Sequence, residues 1–347
     1  MYIFNKKNSL VVCTAPKKNA NISIIFDTLN QQNIKSYYLS ISYKEYKDLK
    51  INEKNNTLCV IFPNHWQKVF NSKLIISSHS IIFHSFLNIF TNIYTIHSGH
   101  GIRTGSLKNN QKQFKRYYYK FSEMWLVSEL EKEIYIELGY EKNNQIIVGY
   151  PSIEKIIKSN LTKQNKKTFL VAPTSYEFKN KIKSDFDIEN INFLKLLESI
   201  AVKKELDFII KPHWKTQLNN DIAKYIKNSK SLKLANDYCP KDYLQLLSQV
   251  DVLITDWSGI YVDFLILQKP IVFVNNIPPK DIHSFTKVME NNIIKRLETL
   301  DKFEEEIIKE EYSTNIANLK KFVFGDLKFE TITENIINRV KKIIMNS

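Results

Sequence analysis

Two residue types that many functional motifs require are scarce in this chain. Glycine supplies 7 and cysteine 3 of its 347 residues, and the cysteines are widely spaced with no CxxC pair. This cysteine usage is typical of a reducing compartment and argues against a zinc knuckle or a disulfide framework. The phosphate loops GxGxxG and GxxxxGK(S/T) do not occur, which disfavours a dinucleotide dehydrogenase or a P-loop nucleotide hydrolase.

Long apolar runs are also missing. No stretch of about 18 uninterrupted apolar residues exists, and the most hydrophobic region, residues 74–90, carries two histidines and four serines. The six-residue apolar run near the N-terminus is shorter than the core of a signal peptide. We therefore expect a cytoplasmic protein, or one that binds a membrane only at its surface.

Acidic residues are outnumbered by basic ones. The chain has 50 Lys and Arg against 36 Asp and Glu, a formal net charge of +14, which indicates an anionic partner. Between Arg103 and Lys120 lie six basic and no acidic residues, interleaved with Phe114 and the tyrosines at 117–119. The segment is either a solvated lysine-rich helix or a basic, aromatic surface for a polyanion or lipid headgroups. No recognisable motif supports a nucleic-acid partner.

Short β-branched runs alternate with amphipathic segments along the chain. Buried apolar strands separated by helices are typical of parallel sheets, so the predicted fold class is α/β. Strands are predicted at residues 9–14, 58–62, 74–78, 93–97, 124–128, 145–150, 168–174, 207–213, 232–236, 251–255 and 270–274, and helices at 128–139, 190–205, 216–228, 241–249 and 327–345.

A polar, positively charged stretch at 158–167 separates two strand–helix series and is the predicted domain boundary. We expect one Rossmann-like domain over residues 1–157 and a second over residues 168–347. Two such domains facing each other across a cleft form the GT-B architecture. The final helix has one apolar face and is predicted to pack back across the domains rather than to anchor the chain in a membrane.

Residues suited to chemistry cluster where predicted strands end. In open α/β sheets, ligands bind beyond the carboxyl ends of the strands. Five strand ends contain Gly, Pro, His or Ser, and this concentration favours an enzyme; they are TIHSGHGIR, VGYPS, APTSYE, KPHWK and TDWSG.

The most informative strand end is TDWSG, which leads into a predicted helix. Asp256 and Ser258 are of N-cap types, and Gly259 permits close approach of a ligand to the backbone. The N–H groups and positive dipole of a helix N-terminus suit a diphosphate, so Ser258 Oγ and the amides of Ser258, Gly259 and Ile260 form a candidate cradle. Asp263 is a candidate acceptor for ribose hydroxyls. Ordinary N-capping and a first-turn acid are the alternative interpretations.

A second strand end, KPHWK, places Lys211, His213 and Lys215 together. Pro212 restrains the backbone before the histidine. Beside a diphosphate, His213 and one lysine would neutralise charge on the leaving nucleotide. The alternative is a surface histidine in a loop.

Three of the seven glycines lie between Gly99 and Gly105, in a loop with His97, His100 and Arg103. Imidazole titrates near neutrality, so one of these histidines is a candidate general base unless both are structural. The glycines allow the backbone to approach a ligand, and the planar arginine suits a phosphate. A metal is disfavoured because no third ligand of suitable type lies nearby.

In this order, the segments resemble the CDP-glycerol glycerophosphotransferase family, the primases and polymerases of teichoic-acid and related capsule synthesis. GHGIR resembles the family's His-Gly loop, VGYPSIE its Gly-x-Pro element, VAPTSYE its Ala-Pro-Thr element and IIKPHWK its strand-end histidine. The segment DVLITDWSGIYVDFLILQKPIVF closely follows the family signature Thr-Asp-Tyr-Ser-Ser-x-x-x-Asp. The resemblance covers about residues 90–275.

The resemblance implies a GT-B fold, no metal or other cofactor, and transfer of a polyol phosphate from a CDP-linked donor to a hydroxyl with release of CMP. By motif match His100 is the acceptor's base, with His97 as the fallback, and His213 acts on the donor phosphate. The predicted donor-binding residues are Arg103, Thr174, Lys211, Asp256, Ser258, Gly259, Ile260 and Asp263.

The resemblance also implies where the partners bind. The CDP-linked donor is expected on the C-terminal domain, and an anionic glycan or lipid-linked acceptor on the N-terminal domain. The family's enzymes sit on the cytoplasmic face of the membrane, and the +14 charge agrees with an anionic membrane surface. No nucleic-acid partner is expected.

Three departures from the family pattern affect the donor more than the fold. Ile102 and Arg103 replace the usual Thr-Pro, and Ser175 and Tyr176 replace a tryptophan and a phosphate-contacting arginine. Gly259 replaces the second serine of the signature. We take Arg103 as the candidate substitute for the missing arginine. Glycerol phosphate, ribitol phosphate, another polyol phosphate and a sugar all stay open as the transferred group.

Two other functions are compatible with these residues. A GT-B glycosyltransferase using a CMP- or UDP-sugar in surface polysaccharide synthesis would form a glycosidic bond instead of a phosphodiester. A non-catalytic protein on a degenerate enzyme fold would bind polyanions or membranes in a salt-sensitive way. Such a protein would be indifferent to mutation of His100 or His213.

Overall fold

The described part of this computed structural model forms two compact units. One holds the described residues up to 99, then 121–154 and 327–346, and the other holds the described residues between 155 and 326. The structure describes residues 10–15, 20–49, 54–78, 91–99, 121–137, 142–158, 166–174, 184–213, 216, 218–238, 243–274, 288 and 293–346.

The first unit is built on a parallel sheet of seven described strands. Their order is β3-β2-β1-β4-β5-β6-β7, so the winding reverses between β1 and β4. Both of these central strands are buried along their whole length, which is why they read as continuous apolar runs. Strands β1 to β7 span Val11–Ala15, Ser36–Ser40, Thr57–Cys59, Leu74–Ser77, Tyr94–His97, Glu123–Leu126 and Gln145–Ile147.

Helices connect these strands and begin at residues with clear start signals. Pro63 and Pro151 open α3 and α5, at a position where a helix does not need the missing N–H. Ser42 caps α2 by accepting a 3.2 Å hydrogen bond from the Glu45 amide. Helices α1 to α5 span Ala20–Gln31, Tyr43–Lys47, Pro63–Phe70, Glu129–Glu137 and Pro151–Lys158, with a 3₁₀ turn at Lys142–Asn144.

The second unit contains a parallel sheet of six described strands in the order β10-β9-β8-β11-β12-β13. This is the doubly wound order of a Rossmann-like domain, with the reversal between β8 and β11. Such a reversal opens a crevice at the carboxyl ends of the two strands, where ligands bind. Strands β8 to β13 span Thr168–Val171, Asp207–Ile210, Leu232–Leu234, Val252–Thr255, Ile271–Val274 and Arg296–Leu297.

Helices α6 and α11 contribute to the main core of the second unit, which is rich in phenylalanine. Phe193 and Phe303 pack edge to face with ring centroids 5.6 Å apart, and both are fully buried. Helices α6 to α12 span Ile191–Lys204, Asn220–Asn228, Ala235–Tyr238, Tyr243–Gln249, Ile260–Leu265, Leu300–Lys309 and Ile316–Phe324.

The final helix α13, Ile332–Asn346, follows a 3₁₀ turn at Phe329–Thr331 and belongs to the first unit. Buried Glu123 on β6 accepts hydrogen bonds from both Nε and Nη2 of Arg339, which lies on this helix. The sequence predicts a C-terminal domain over residues 168–347 with a final helix that packs back. In the structure, residues 327–346 group with the first unit, because their contacts lie there. Among the helices described, none has the length and apolarity needed to cross a bilayer.

Each of the predicted strands corresponds to an observed strand, and two observed strands were not predicted. Strand β2 has the sequence SYYLS, whose serines mask its apolar character, although it lies between β1 and β3. Strand β13 is only two residues long. The helices predicted at 128–139, 190–205, 216–228, 241–249 and 327–345 are present with shifted ends.

Candidate functional site

Asp256 joins two loops at the point where the winding of the second sheet reverses. Asp256 directly follows β11, and Thr174 lies three residues beyond the neighbouring strand β8. The Thr174 amide donates to the two carboxylate oxygens of Asp256 at 3.0 and 3.1 Å, and the Thr174 hydroxyl donates at 2.7 Å. The Ser258 amide donates to the same carboxylate at 3.0 Å. The fully buried Asp256 therefore holds both loops of the crevice in place.

This arrangement favours a positioning role for Asp256. Its oxygens accept hydrogen bonds from the protein itself, whereas the sequence motif predicts that it contacts the CDP-linked substrate. The Ser258 amide is likewise engaged, so the predicted cradle is reduced to Ser258 Oγ and the amides of Gly259 and Ile260. Gly259 has helical dihedrals, φ −56° and ψ −12°, and precedes α10 directly.

Lys211, Tyr243 and Asp263 form a half-buried polar cluster in the same unit. The Tyr243 hydroxyl donates to Asp263 Oδ2 at 2.8 Å, and Lys211 Nζ lies 5.3 Å from the centroid of the Tyr243 ring. Burial raises the pKa of Asp263 to about 6, although the Tyr243 hydrogen bond and the Lys211 charge act in the opposite direction. Burial lowers the pKa of Lys211, and the Asp263 charge opposes that shift. Ionisable groups perturbed in this way are typical of ligand sites.

Neither Tyr243 nor Arg296 is among the site residues predicted from the sequence. Arg296 on β13 is in register with Phe273 on β12, which is in register with Thr255 on β11. Burial lowers the pKa of the half-buried Arg296, while attraction to Glu298 and Asp256 opposes the shift. Its guanidinium therefore senses the charge of Asp256, at the sheet edge where an anion is expected. No local pattern could have indicated this residue, because its strand is too short to recognise.

Two of the three predicted catalytic histidines, His213 and His97, lie in the described part of the chain. His213 lies partly exposed, three residues beyond β9. His97 is the last residue of β5, is only 1% exposed, and has its ring centroid 5.3 Å from that of Phe121. Such burial favours a structural role over that of the fallback base. His100 and Arg103 lie outside the described residues.

Within the described ranges, no group of three or more His, Cys, Asp or Glu side chains has the geometry to hold a metal ion.

Comparison with known proteins agrees with these features. Residues 2–279 match the family model for CDP-Glycerol:Poly(glycerophosphate) glycerophosphotransferase. The chain belongs to this family. The family recognised from the sequence motifs is therefore confirmed.

One curated relative of the family is the teichoic acid glycerol-phosphate primase of Bacillus subtilis (strain 168). It is 30% identical over 229 residues, which make up 59% of this chain and 56% of that protein. The chain thus matches just over half the length of this relative.

Solved structures show the same fold at low sequence identity. The wall teichoic acid polymerase TagF superposes with a TM-score of 0.71 at 14% identity, covering 99% of this chain and 92% of that chain. The UDP-GlcNAc 2-epimerase of Methanocaldococcus jannaschii gives a TM-score of 0.60 at 15% identity, covering 96% of this chain and 99% of that chain. The predicted GT-B-like α/β class with two parallel sheets is confirmed.

Proposed function

We propose that this protein transfers glycerol phosphate, or a related polyol phosphate, from a CDP-linked donor to a hydroxyl group and releases CMP. Family membership supports the reaction class. Among the structural neighbours, a histidine variant of TagF was soaked with CDPG, which supports a CDP-linked donor on this fold. The observation in this chain that supports the proposal is the set of hydrogen bonds by which Asp256 joins Thr174 to Ser258. These bonds shape a crevice at the signature motif of the family.

In this proposal the donor binds at the carboxyl edge of the second sheet. Ser258 Oγ with the amides of Gly259 and Ile260 faces the diphosphate, and Thr174 and Asp256 hold the loops that form its walls. Lys211, which directly follows the adjacent strand β9, supplies positive charge. Because Lys211 is partly removed from water, its attraction for a phosphate is stronger than that of an exposed lysine.

Asp263 and Tyr243 would contribute to recognition of the nucleoside. Tyr243 occupies one oxygen of Asp263, so the other oxygen is the one proposed to accept hydrogen bonds from the ribose. Arg296 is a second candidate, beside Arg103, for the guanidinium that the family usually places after Ala-Pro-Thr.

The transfer itself is a displacement at phosphorus. His100 removes the proton of the acceptor hydroxyl as its oxygen attacks the β-phosphorus, which carries the polyol. The bond from that phosphorus to the bridging oxygen breaks, and the electron pair leaves with CMP. His213 and Lys211 stabilise the negative charge that develops on the phosphoryl oxygens and on the departing nucleotide.

The proposed acceptor is a hydroxyl of an anionic glycan or of a lipid-linked primer in teichoic-acid or capsule synthesis. The proposed location is the inner face of the cell membrane, with the protein bound peripherally. The net charge of +14 supports both parts of this proposal, because anionic polymer and anionic lipid attract the same basic surface.

A calorimetric binding panel tests the donor class. The ligands are CDP-glycerol, CDP-ribitol, CMP, a UDP-sugar and a CMP-sugar, offered to the wild type, to Ser258→Ala and to Ser199→Ala. Ser199 is an exposed serine on α6 and serves as the matched control. Tight binding of a CDP-polyol, weakened about tenfold or more by Ser258→Ala alone, is the expected result.

Other results of the panel have definite meanings. Preference for a UDP- or CMP-sugar would replace the phosphotransferase with a GT-B glycosyltransferase. If none of the ligands binds, the non-catalytic polyanion-binding function takes the place of both enzymes.

A further inference from the structure

Three neighbouring loops of the first unit are tied together by one buried side-chain pair. Strands β5, β6 and β7 are adjacent in the sheet, and their carboxyl ends lead to Gly99, to helix α4 and to Tyr150. The Tyr150 hydroxyl donates to Glu131 Oε1 on α4 at 2.7 Å. Tyr150 is 3% and Glu131 1% exposed. The tyrosine after β7 is therefore held by the helix that follows β6.

Glu131 is itself fixed in place. Its Oε2 accepts a 2.8 Å hydrogen bond from the Val127 amide, and its own amide donates to Ser128 Oγ at 3.2 Å. This is a variant of the capping box at the start of α4. Both carboxylate oxygens have protein donors, so the acceptor of the Tyr150 hydroxyl cannot rotate away without loss of a buried hydrogen bond.

The side chain of Tyr150 in turn packs against the backbone at Gly99, just after the end of β5. Gly99 has φ +63°, a conformation that favours glycine. A Cβ atom on this residue would lie 2.5 Å from Tyr150 Oη and 2.8 Å from Tyr150 Cε1. The close approach and the positive φ together fix the direction in which the chain leaves the sheet, one residue before His100.

We propose that Tyr150, held by Glu131, is a positioning residue for the loop that leaves β5 at Ser98 and Gly99. It acts by fixing the backbone at Gly99, the residue that precedes the proposed base His100 in the chain. This inference rests on the proposed function, in which His100 is the base. Loss of the Tyr150 hydroxyl should leave the donor site in the second unit unaffected and misplace the base.

The test compares Tyr150→Phe with Tyr94→Phe. Tyr94 makes the same kind of hydrogen bond in the same unit, because its hydroxyl donates to buried Glu123 at 2.7 Å. Tyr94 lies at the start of β5, however, and therefore far along the strand from Gly99. The measurements are CMP release from CDP-glycerol with acceptor present, and hydrogen exchange in the peptide that contains Ser98 and Gly99.

Tyr150→Phe is expected to lower kcat about 10- to 100-fold with little change in the donor KM, since small misplacements of a reacting group have effects of that size. Exchange in the peptide that contains Gly99 should rise about tenfold. Tyr94→Phe should leave both quantities near the wild-type value. Glu131→Gln keeps an oxygen that accepts from the Tyr150 hydroxyl, so it should retain more activity than Glu131→Ala.

Equal exchange of that peptide in the two tyrosine variants overturns the proposal, whatever the reaction. Increased exchange with an unchanged kcat also overturns it, because the loop would then move without consequence for the base. If the wild type releases no CMP from any CDP-polyol, the proposed function fails, and the exchange comparison alone decides whether Tyr150 holds the loop.

Discussion

Asp256 accepts a 2.7 Å hydrogen bond from the hydroxyl of Thr174 and thereby links the carboxyl ends of β8 and β11. A second aspartate makes the corresponding link at the other end of the same two strands, where Asp251 Oδ2 accepts a 2.8 Å hydrogen bond from the Thr168 amide. The predicted donor-binding loops lie at the Asp256 end. The two aspartates therefore form a natural pair for separating stability from ligand binding.

Asp256→Asn should lose both stability and donor affinity. The substitution turns one acceptor oxygen into an NH₂ group that faces protein N–H donors. We expect a loss of about 2–4 kcal/mol in the free energy of unfolding, measured in urea. The CDP-glycerol affinity should fall about tenfold or more, measured by calorimetry, because the two loops separate.

Asp251→Asn is the control, and it should lose stability without losing affinity. An equal loss of affinity in the two variants would show that Asp256 acts only by stabilising the fold of the second unit.

Asp263 should make the stability and the donor affinity change with pH in opposite directions. Its folded-state pKa of about 6 lies above the ordinary 3.8, so the folded protein binds the proton more tightly than the unfolded chain. The contribution of this group is therefore most favourable below about pH 4 and is lost as the pH rises through about 6. Asp263→Asn removes the titration and should be about 1–3 kcal/mol more stable than the wild type near neutral pH.

Donor affinity should instead weaken as the pH falls through about 6, if the ionised Asp263 binds the ribose. Tyr243→Phe removes a hydrogen bond that lowers the pKa of Asp263, so the midpoint of this loss should move to higher pH. Calorimetric titrations across this pH range check both statements. A flat affinity profile in the wild type argues that Asp263 has no contact with the ligand.

Arg339→Ala should destabilise the first unit and leave donor binding intact. The substitution removes the cation from Glu123, which is buried and keeps Tyr94 and Trp125 as hydrogen-bond donors. Loss of one partner of a buried ion pair costs about 3–5 kcal/mol. Because Arg339 is partly exposed, we expect about 2–3 kcal/mol in urea unfolding.

Lys341→Ala is the control on the same helix, since its ammonium donates to Gln32 on the surface. It should change stability by less than about 0.5 kcal/mol. Similar losses in the two variants would mean that the charge of α13, and not the Glu123 pair, stabilises its docking.

Three histidine variants should separate catalysis from structure. His100→Ala should lower turnover about 10²- to 10⁴-fold while CDP-glycerol still binds, as expected for a general base. His213→Ala should lower turnover and weaken donor binding together. His97→Ala should mainly reduce stability because the side chain is buried. Loss of donor binding in His100→Ala would indicate a structural role for that residue.

Much of the fold could be predicted because the buried strands of a parallel sheet appear in the sequence as short, continuous runs of apolar residues. The runs at 74–78 and 251–255 were recognised on that basis and are buried strands. Strand β2 was missed because its burial is imposed by the neighbours β1 and β3 and not by its own composition. The two-residue strand β13, which carries Arg296, was missed because pairing with β12 alone defines it.

The candidate site was recognised in part, from strand-end motifs. TDWSG and KPHWK indicated the carboxyl edge of the second sheet, because residues after parallel strands collect at one edge. The role of Asp256 was not visible, since an N-cap residue and a residue that binds a neighbouring loop have the same local sequence. Tyr243 and Tyr150 were missed because their partners, Asp263 and Glu131, come from other segments.

The amino-acid sequence by itself determined the α/β class, most strand positions and the family, because these depend on patterns within short windows of the chain. Only the tertiary structure decided which distant residues meet. Thr174 and Asp256 are 82 residues apart, and Glu123 and Arg339 are 216 apart. Such pairs depend on the order of strands in each sheet and on the packing of the final helix. Removal of Lys211 and Asp263 from water in the folded second unit, rather than their residue type, shifts the pKa of each group.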